Sequence, residues 1–320
     1  MESKQTTPKG TEIPVPKKAE WERVLRKAAN PKADATPNRY GTRWAGLTDD
    51  EKQQVRGGGW TLAQLQDRVD QFVLHYDVCG TSQACFNILH DHRDLSVHFM
   101  IDLDGTIYQT LDVKERAWHA TIANDRSVGV ELANMGAYPL GKAAPLGEWY
   151  AKDKDGRTVI TIPSRLKDGG LRDKTTVLRP AREDPVVGEV QHGDMVMYDL
   201  TPQQYASLAH LTATLSATLP KIRPDYPRDA QGKLITHTLT PEQFGAFQGV
   251  LGHYHIQDNK QDPGPALNWD WLIAETRGLL KDRPRAEPPT DAGADAAKSR
   301  AQAAWRPGRP RPDDRRVTGQ

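Results

Sequence analysis

The chain has 320 residues and a formal net charge of +1 at pH 7. That length can bury a core sufficient for one large domain or two small ones. A charge so close to zero gives no case for a nucleic-acid or membrane-surface partner, and no apolar run approaches the length of a membrane span.

Residues 1–18 are rich in Lys, Thr and Pro and read as a flexible arm. Met1 to Gln5 lacks the apolar stretch of a secretory signal, so the chain either acts in the cytoplasm where it is made or its leader lies outside this sequence. A partly charged helical extension is expected over about 19–68. Within it Thr48-Asp49-Asp50-Glu51 and Thr61-Leu62-Ala63-Gln64 each match the capping box that opens a helix, and Gly57-Gly58-Gly59 breaks the chain between them. Strand signals begin at Gln71-Phe72-Val73-Leu74-His75. A helix is expected from about Ser82 to His90. Val97 to Ile101 then reads as a strand, Asp102-Leu103-Asp104-Gly105 as a turn and Thr106 to Gln109 as the return of a hairpin. Val128-Gly129-Val130-Glu131-Leu132 is a further strand.

From about 138 to 198 Gly, Pro, Lys and Asp are frequent. A structureless loop of that length does not suit a compact domain, so the segment reads as an elaborated insertion. Thr201-Pro202-Gln203-Gln204 is another capping box, with Pro at the first helical position. Tyr205, Leu208, Leu211, Leu215 and Leu219 follow at helical spacing. Thr240-Pro241-Glu242-Gln243 repeats the start signal, and a short strand, Gly249 to Gly252, follows. Trp269 to Leu280 reads as a final helix expected to turn Trp271, Leu272 and Leu279 inward. The tail from Asp282 has nine basic and six acidic residues and reads as disordered, either solvated or in weak contact with an anionic polymer.

The chemistry concentrates in Gly252-His253-Tyr254-His255-Ile256 and Lys260-Gln261-Asp262-Pro263-Gly264-Pro265-Ala266. An imidazole and a carboxylate lie close together on an irregular connector whose Pro and Gly fix the backbone. His75 ends the first strand. His75, His253 and Asp262 make a three-ligand zinc set with one position left for water. Glu131 sits inside an apolar strand and is either an edge residue facing water or a desolvated general base with a raised pKa. Lys260 is either a surface lysine or a holder of the developing oxyanion. His98, His119 and His255 are further candidates, and His90, His92 and His98 form a rival metal cluster. Cys79 and Cys85, with five residues between them, are either free thiols or a small disulfide loop.

Four blocks in order resemble the zinc-dependent N-acetylmuramoyl-L-alanine amidases of the type-2 amidase and peptidoglycan-recognition-protein superfamily. They are Phe72 to Tyr76; Leu95 to Ile101 with Asp104 to Gln109; Ala117 to Ala120 with Asn124 and Ser127 to Leu132; and Gly252-His253 with Lys260 to Ala266. The resemblance spans about Phe72 to Leu280, the insertion excepted. It implies one catalytic zinc held by His75, His253 and Asp262, Glu131 as general base and Lys260 as oxyanion stabiliser. Tyr76, His98 and His119 lie in the same blocks and are candidates for contact with substrate. The substrate implied is the amide between N-acetylmuramic acid and L-alanine in peptidoglycan or muropeptides. A Cys79–Cys85 disulfide near the first zinc histidine is also implied, and with the substrate it favours the cell envelope or secretion over the cytoplasm. The connector from His253 to Asp262 is slightly shorter than in the family's cytosolic recycling enzymes.

The expected architecture is α/β: a central mixed β-sheet flanked by helices, with a zinc-bearing substrate groove at one edge, the whole domain running over 19–281 and the tail over 282–320. A non-catalytic peptidoglycan receptor on the same fold, and a metal-dependent hydrolase of another amide, are the rival readings. The complete ligand set argues against the first.

Overall fold

The computed structural model describes residues 60–282, with Arg43, residues 48–51 and the backbone of two short strands, Lys4–Thr6 (β1) and Glu12–Pro14 (β2), which pair antiparallel within the expected arm. Most of the arm, the extension from residue 19, Gly57 to Gly59 and the tail after residue 282 lie outside the described residues. Both early capping boxes are present. Thr48 and Glu51 exchange bonds, and Thr61 with Gln64 opens α1 (Leu62–Arg68).

The chain then forms β3 (Gln71–Tyr76), α2 (Ser82–Phe86), continued by a π-helical turn to His92, β4 (Phe99–Ile101), β5 (Ile107–Gln109) and β6 (Ser127–Leu132). The insertion holds β7 (Tyr138–Pro139), β8 (Tyr150–Lys152), β9 (Thr158–Ile160), β10 (Val186–Val190) and β11 (Gly193–Met197). After it come α3 (Pro202–Thr218), α4 (Pro241–Ala246), β12 (Gly249–Gly252) and α5 (Trp269–Asp282).

The central sheet has the order β12-β3-β6-β4-β5. Its first four strands are parallel and β5 returns antiparallel, so the sheet is mixed. Strand alternation sorts its residues between two faces. Phe72, Leu74, Val128, Val130, Leu132, Phe99, Ile101 and Val250 point to one face, where they meet Leu208, Leu211 and Leu215 of α3, Leu272 and Ile273 of α5 and Leu65 of α1. Burying each such side chain contributes roughly 1.5–3 kcal/mol. Val73 and Leu251 point to the other face, against Phe244, Leu239 and Ala120, and Met100 packs there with Cys85 and Val97. His75 and Glu131 belong to this second face.

α3 buries the residues expected of it, Tyr205, Leu208, Leu211 and Leu215, and Leu219 is buried just beyond its end. α5 differs in one position. Trp271 is 41% exposed, whereas Trp269, Leu272, Ile273 and Thr276 turn inward. The helix begins at Trp269, and a 3.6-residue period from Trp269 selects Leu272 and Ile273 rather than Trp271.

The insertion has its own small core of Leu146, Trp149, Tyr150, Ile160, Leu171 and Leu178. Its strands form a β10-β11-β7 sheet and a β8-β9 hairpin. Trp149 lies against Gly80, where any Cβ would come within 2.2 Å of the indole. The insertion is therefore packed onto the turn between β3 and α2.

Candidate active site

The site lies at the carboxyl ends of the parallel strands, the usual ligand edge of an open α/β sheet. β3 and β6 pair with His75 opposite Glu131, and β12 pairs with β3 with Gly252 opposite Leu74. The residue after Gly252 is His253, so three neighbouring strands deliver His253, His75 and Glu131 in a row. The sheet order also settles one alternative: β6 is an interior strand, and Glu131 is not an edge residue facing water.

Asp262 returns to this row on the connector after β12. That connector opens with a 3₁₀ turn at His253–His255 and folds back so that Tyr254 N donates to Asp262 O. The Asp262–Pro263 bond is cis. The His75 and His253 Nδ1 atoms are 3.0 Å apart and lie 2.8 and 2.9 Å from Asp262 Oδ2. Among the described residues this buried trio is the group of His, Cys, Asp or Glu donors able to hold a metal; the rival trio of His90, His92 and His98 does not assemble.

The outer ring atoms are also engaged. His253 Nε2 donates to Gln257 Oε1 at 2.8 Å, which leaves His253 Nδ1 as a bare lone pair. His75 Nε2 is 2.9 Å from His119 Nδ1, and His119 Nε2 is 3.1 Å from Ser127 Oγ. If His75 donates to His119 and His119 to Ser127, His75 Nδ1 is bare too. Two lone pairs and a carboxylate oxygen then converge within 3.0 Å, an arrangement that calls for a cation between them. Burial, with help from His253, pulls the His75 imidazole down to about 4, so it is neutral at pH 7. Burial pushes Asp262 upward, but His253 and His75 beside it outweigh that push and hold the carboxyl well below its usual range. Two imidazoles and one carboxylate are a donor set suited to zinc.

Glu131 has the opposite environment. Burial first, then the charges of Asp262 and Asp77, push its carboxyl well above the usual range, and its Oε2 is buried without a partner. Lys260 lines the same cavity, of about 250 Å³, and its charge opposes the upward push on Glu131. Tyr76, Val78, Ile88 and Trp118 give the cavity an apolar wall. Val78 has φ of 53° and is 49% exposed. That backbone is costly for a β-branched residue, and it is held by Asp77 Oδ1, which accepts from Cys79 N and Gly80 N.

Other expected residues fall elsewhere. His98 is fully buried and is not part of the cavity wall. Its Nδ1 accepts from Gly129 N, and its Nε2 meets Glu115 O and Arg43 Nη2. His119 does line the cavity, but its ring is spent on His75 and Ser127. His255 is a buried strut between Gly252 N and Ile235 O. Cys79 and Cys85 are free thiols on the cavity wall, Cys79 Sγ donating to Asp77 O. The insertion does not reach this cavity. It lines the neighbouring groove of about 420 Å³ through Gly170 and Arg172.

Sequence reasoning passed over Gln257 and Arg43 and gave Asn124 no role beyond its place in a resembling block. Asn124 Oδ1 accepts from His119 N and Ala120 N. Arg43 is fully buried and donates through Nη1 to the carbonyls of Asn124, Asp125 and Ser127, and through Nη2 to that of Val113. Burial pulls its guanidinium down to about 9, which still leaves it charged. Neither Gln257 nor Arg43 belongs to a local pattern.

No curated protein sequence matches the chain. Among solved structures, it is similar to the N-acetylmuramoyl-L-alanine amidase LysC from Clostridium intestinale URNW, at 15% identity and a TM-score of 0.35, over 67% of this chain and 88% of that one. It is similar to a selenomethionine derivative of AmpD at 17% identity and 0.34, over 75% and 92% of the two chains. It is also similar to AmiD from E. coli, described in complex with anhydro-N-acetylmuramic acid-L-Ala-D-gamma-Glu-L-Lys, at 18% identity and 0.35, over 73% and 71%. A family model described as N-acetylmuramoyl-L-alanine amidase matches residues 65–265. That span carries β3, β6, β12 and the connector through Asp262, and the chain belongs to the N-acetylmuramoyl-L-alanine amidase family.

Proposed function

We propose that the chain cleaves the amide between N-acetylmuramic acid and L-alanine with one zinc ion held by His75, His253 and Asp262, with Glu131 as general base and Lys260 as oxyanion donor. The observation that carries this reading is the buried triangle of donor atoms, 2.8–3.0 Å on each side, with Glu131 opposite His75 in the strand register.

Zinc bound there supplies a Lewis acid for the amide carbonyl and lowers the pKa of a water toward about 7. Glu131, desolvated and proton-hungry, takes the proton of the attacking water and passes it to the leaving amine of L-alanine. The negative charge that grows on the carbonyl oxygen is met by the Lys260 ammonium. His119 and Gln257 orient the two imidazoles through their outer nitrogens, the role such partners play around metal-binding histidines. Trp118, Val78 and Ile88 give the sugar or the peptide an apolar surface and exclude water from the reacting atoms.

The test is elemental analysis of the purified protein beside digestion of intact sacculi and of defined soluble muropeptides, with product masses. One zinc per chain, lost in His75→Ala, and release of free stem peptide are expected. Undiminished turnover by protein stripped of metal would sink the reading.

A further inference from the structure

The insertion meets the connector between His253 and Asp262 through the side chain of Gln191. β10 and β11 pair out to Val190 and Gly193, so Gln191 and His192 alone form the turn. Both have positive φ, 52° and 62°. Two-residue hairpins favour this backbone for its twist, but they usually place Asn and Gly there because other side chains are strained. A glutamine held in such a conformation is a candidate for a role of its side chain.

Its side chain supplies one. Gln191 Nε2 lies 2.8 Å from Gln257 O, 3.0 Å from Tyr254 O, 3.2 Å from Lys260 O and 3.1 Å from Thr238 Oγ1. Gln191 Oε1 accepts from Thr238 N, which fixes the amide's orientation. The reverse orientation would press an oxygen against three carbonyl oxygens. Three of the four acceptors around Nε2 belong to the connector between His253 and Asp262. Tyr254 is the residue after His253, Gln257 is the partner of the His253 ring, and Lys260 carries the cavity ammonium. The connector's own backbone bonds are Ile256 N and Gln257 N to His253 O, Lys260 N to Gln257 O and Tyr254 N to Asp262 O, and none of them reaches the insertion.

We infer that Gln191 is a positioning residue for the amidase reaction, its side-chain amide tying the insertion's hairpin tip to the His253–Asp262 connector and so holding His253 and Lys260 in place. This rests on the roles assigned to those residues above. It gives the insertion a part in the chemistry without placing it in the cavity. The hairpin ladder itself does not use the Gln191 side chain, so variants at this position keep the scaffold.

The experiment compares wild type with Gln191→Met and Gln191→Glu, which keep the length but remove the donor, and with Gln191→Lys, which restores one. His192→Asn serves as a tip control. Three readings are taken: zinc affinity by competition with a chromophoric chelator, kcat and KM on a defined muropeptide, and hydrogen–deuterium exchange of the metal-free protein. Met and Glu should weaken zinc binding about 10–100-fold and lower kcat by a similar factor with KM within about threefold, with Lys recovering most of the loss. Exchange should rise across residues 253–262 and stay unchanged in β10 and β11. Unchanged exchange in the connector of the Met and Glu variants, or wild-type affinity and kcat in both, overturns the inference. If wild-type protein binds no zinc, or His75→Ala binds it equally well, the ligand assignment fails instead, and the exchange comparison still judges the tether.

Discussion

His75 and Glu131 stand directly opposite each other on β3 and β6, on the same face of the sheet. Neighbouring strands are spaced about 4.8 Å apart by their own ladder. The separation between a candidate metal donor and the candidate base is therefore set by backbone hydrogen bonds rather than by loops, which is the more exact way to hold a reactive pair. Glu131→Gln keeps the shape and removes the base. It should lower kcat by roughly 10²–10⁴-fold while zinc content stays at the wild-type level. Steady-state kinetics on a defined muropeptide would decide it, and a variant retaining a tenth of the activity would remove Glu131 from the mechanism.

Gly129 makes room for His119. A Cβ there would sit 2.5 Å from His119 Nδ1, the atom that meets His75. β6 is interior and cannot yield, so the imidazole must. Gly129→Ala is expected to weaken zinc binding about tenfold and to lower stability by roughly 1–3 kcal/mol. Adding His119→Ala should return part of the stability but none of the zinc affinity. Chelator competition and chemical denaturation of the single and double variants measure both.

Arg43 is a buried cation neutralised mostly by backbone carbonyls. Arg43→Met fills much of the space but leaves the carbonyls of Val113, Asn124, Asp125 and Ser127 without this donor. A loss of roughly 3 kcal/mol or more in urea denaturation is expected. A loss under about 1 kcal/mol would mean that water replaces the guanidinium without cost.

Asp102 sets a pH dependence. Burial raises its carboxyl from 3.8 to about 6, against the pull of bonds from Leu103 N and Ser82 N. The folded chain therefore holds this proton more tightly than the unfolded chain. Stability from this group is greatest below pH 3.8, is lost as pH rises through about 6, and the full cost is on the order of 3 kcal/mol. Melting temperature should fall between pH 5 and pH 7.5, and the fall should be smaller in Asp102→Asn. An equal slope in both proteins would show that Asp102 is not its source.

Much of this architecture is legible in the sequence because it is local. Thr61, Thr201 and Thr240 announce α1, α3 and α4 through capping boxes that depend on four residues each. The alternation of Phe72, Val73, Leu74 and His75 assigns the two faces of β3 before any partner is known. His75 and His253 are legible at strand ends and Asp262 on a Pro- and Gly-fixed connector, yet their convergence depends on β12 lying beside β3, which no spacing encodes. Trp271 faces outward although the helix starts where the sequence places it: the period from Trp269 puts Leu272 and Ile273 inward, and aromatic character alone does not mark the buried face. His98 lies in a resembling block and so counts as a candidate for substrate contact, yet its ring faces a backbone N–H and a buried guanidinium. Gln191, Gln257 and Arg43 gave no signal. Each acts on carbonyls or rings that folding brings near, and a glutamine 66 residues from its partner looks like any surface glutamine.

The strand order has a further consequence. β12 is the last strand of the central sheet to be synthesised, yet it lies beside β3, the first. His253 and Asp262 follow His75 by 178 and 187 residues. A ribosome must therefore deliver four-fifths of the chain before all three donors coexist, and an ion held by them would close a loop of 187 residues. Any break in the chain between the two halves, even one in the insertion far from the cavity, opens that loop. The mature site thus reports on the integrity of the chain from His75 to Asp262.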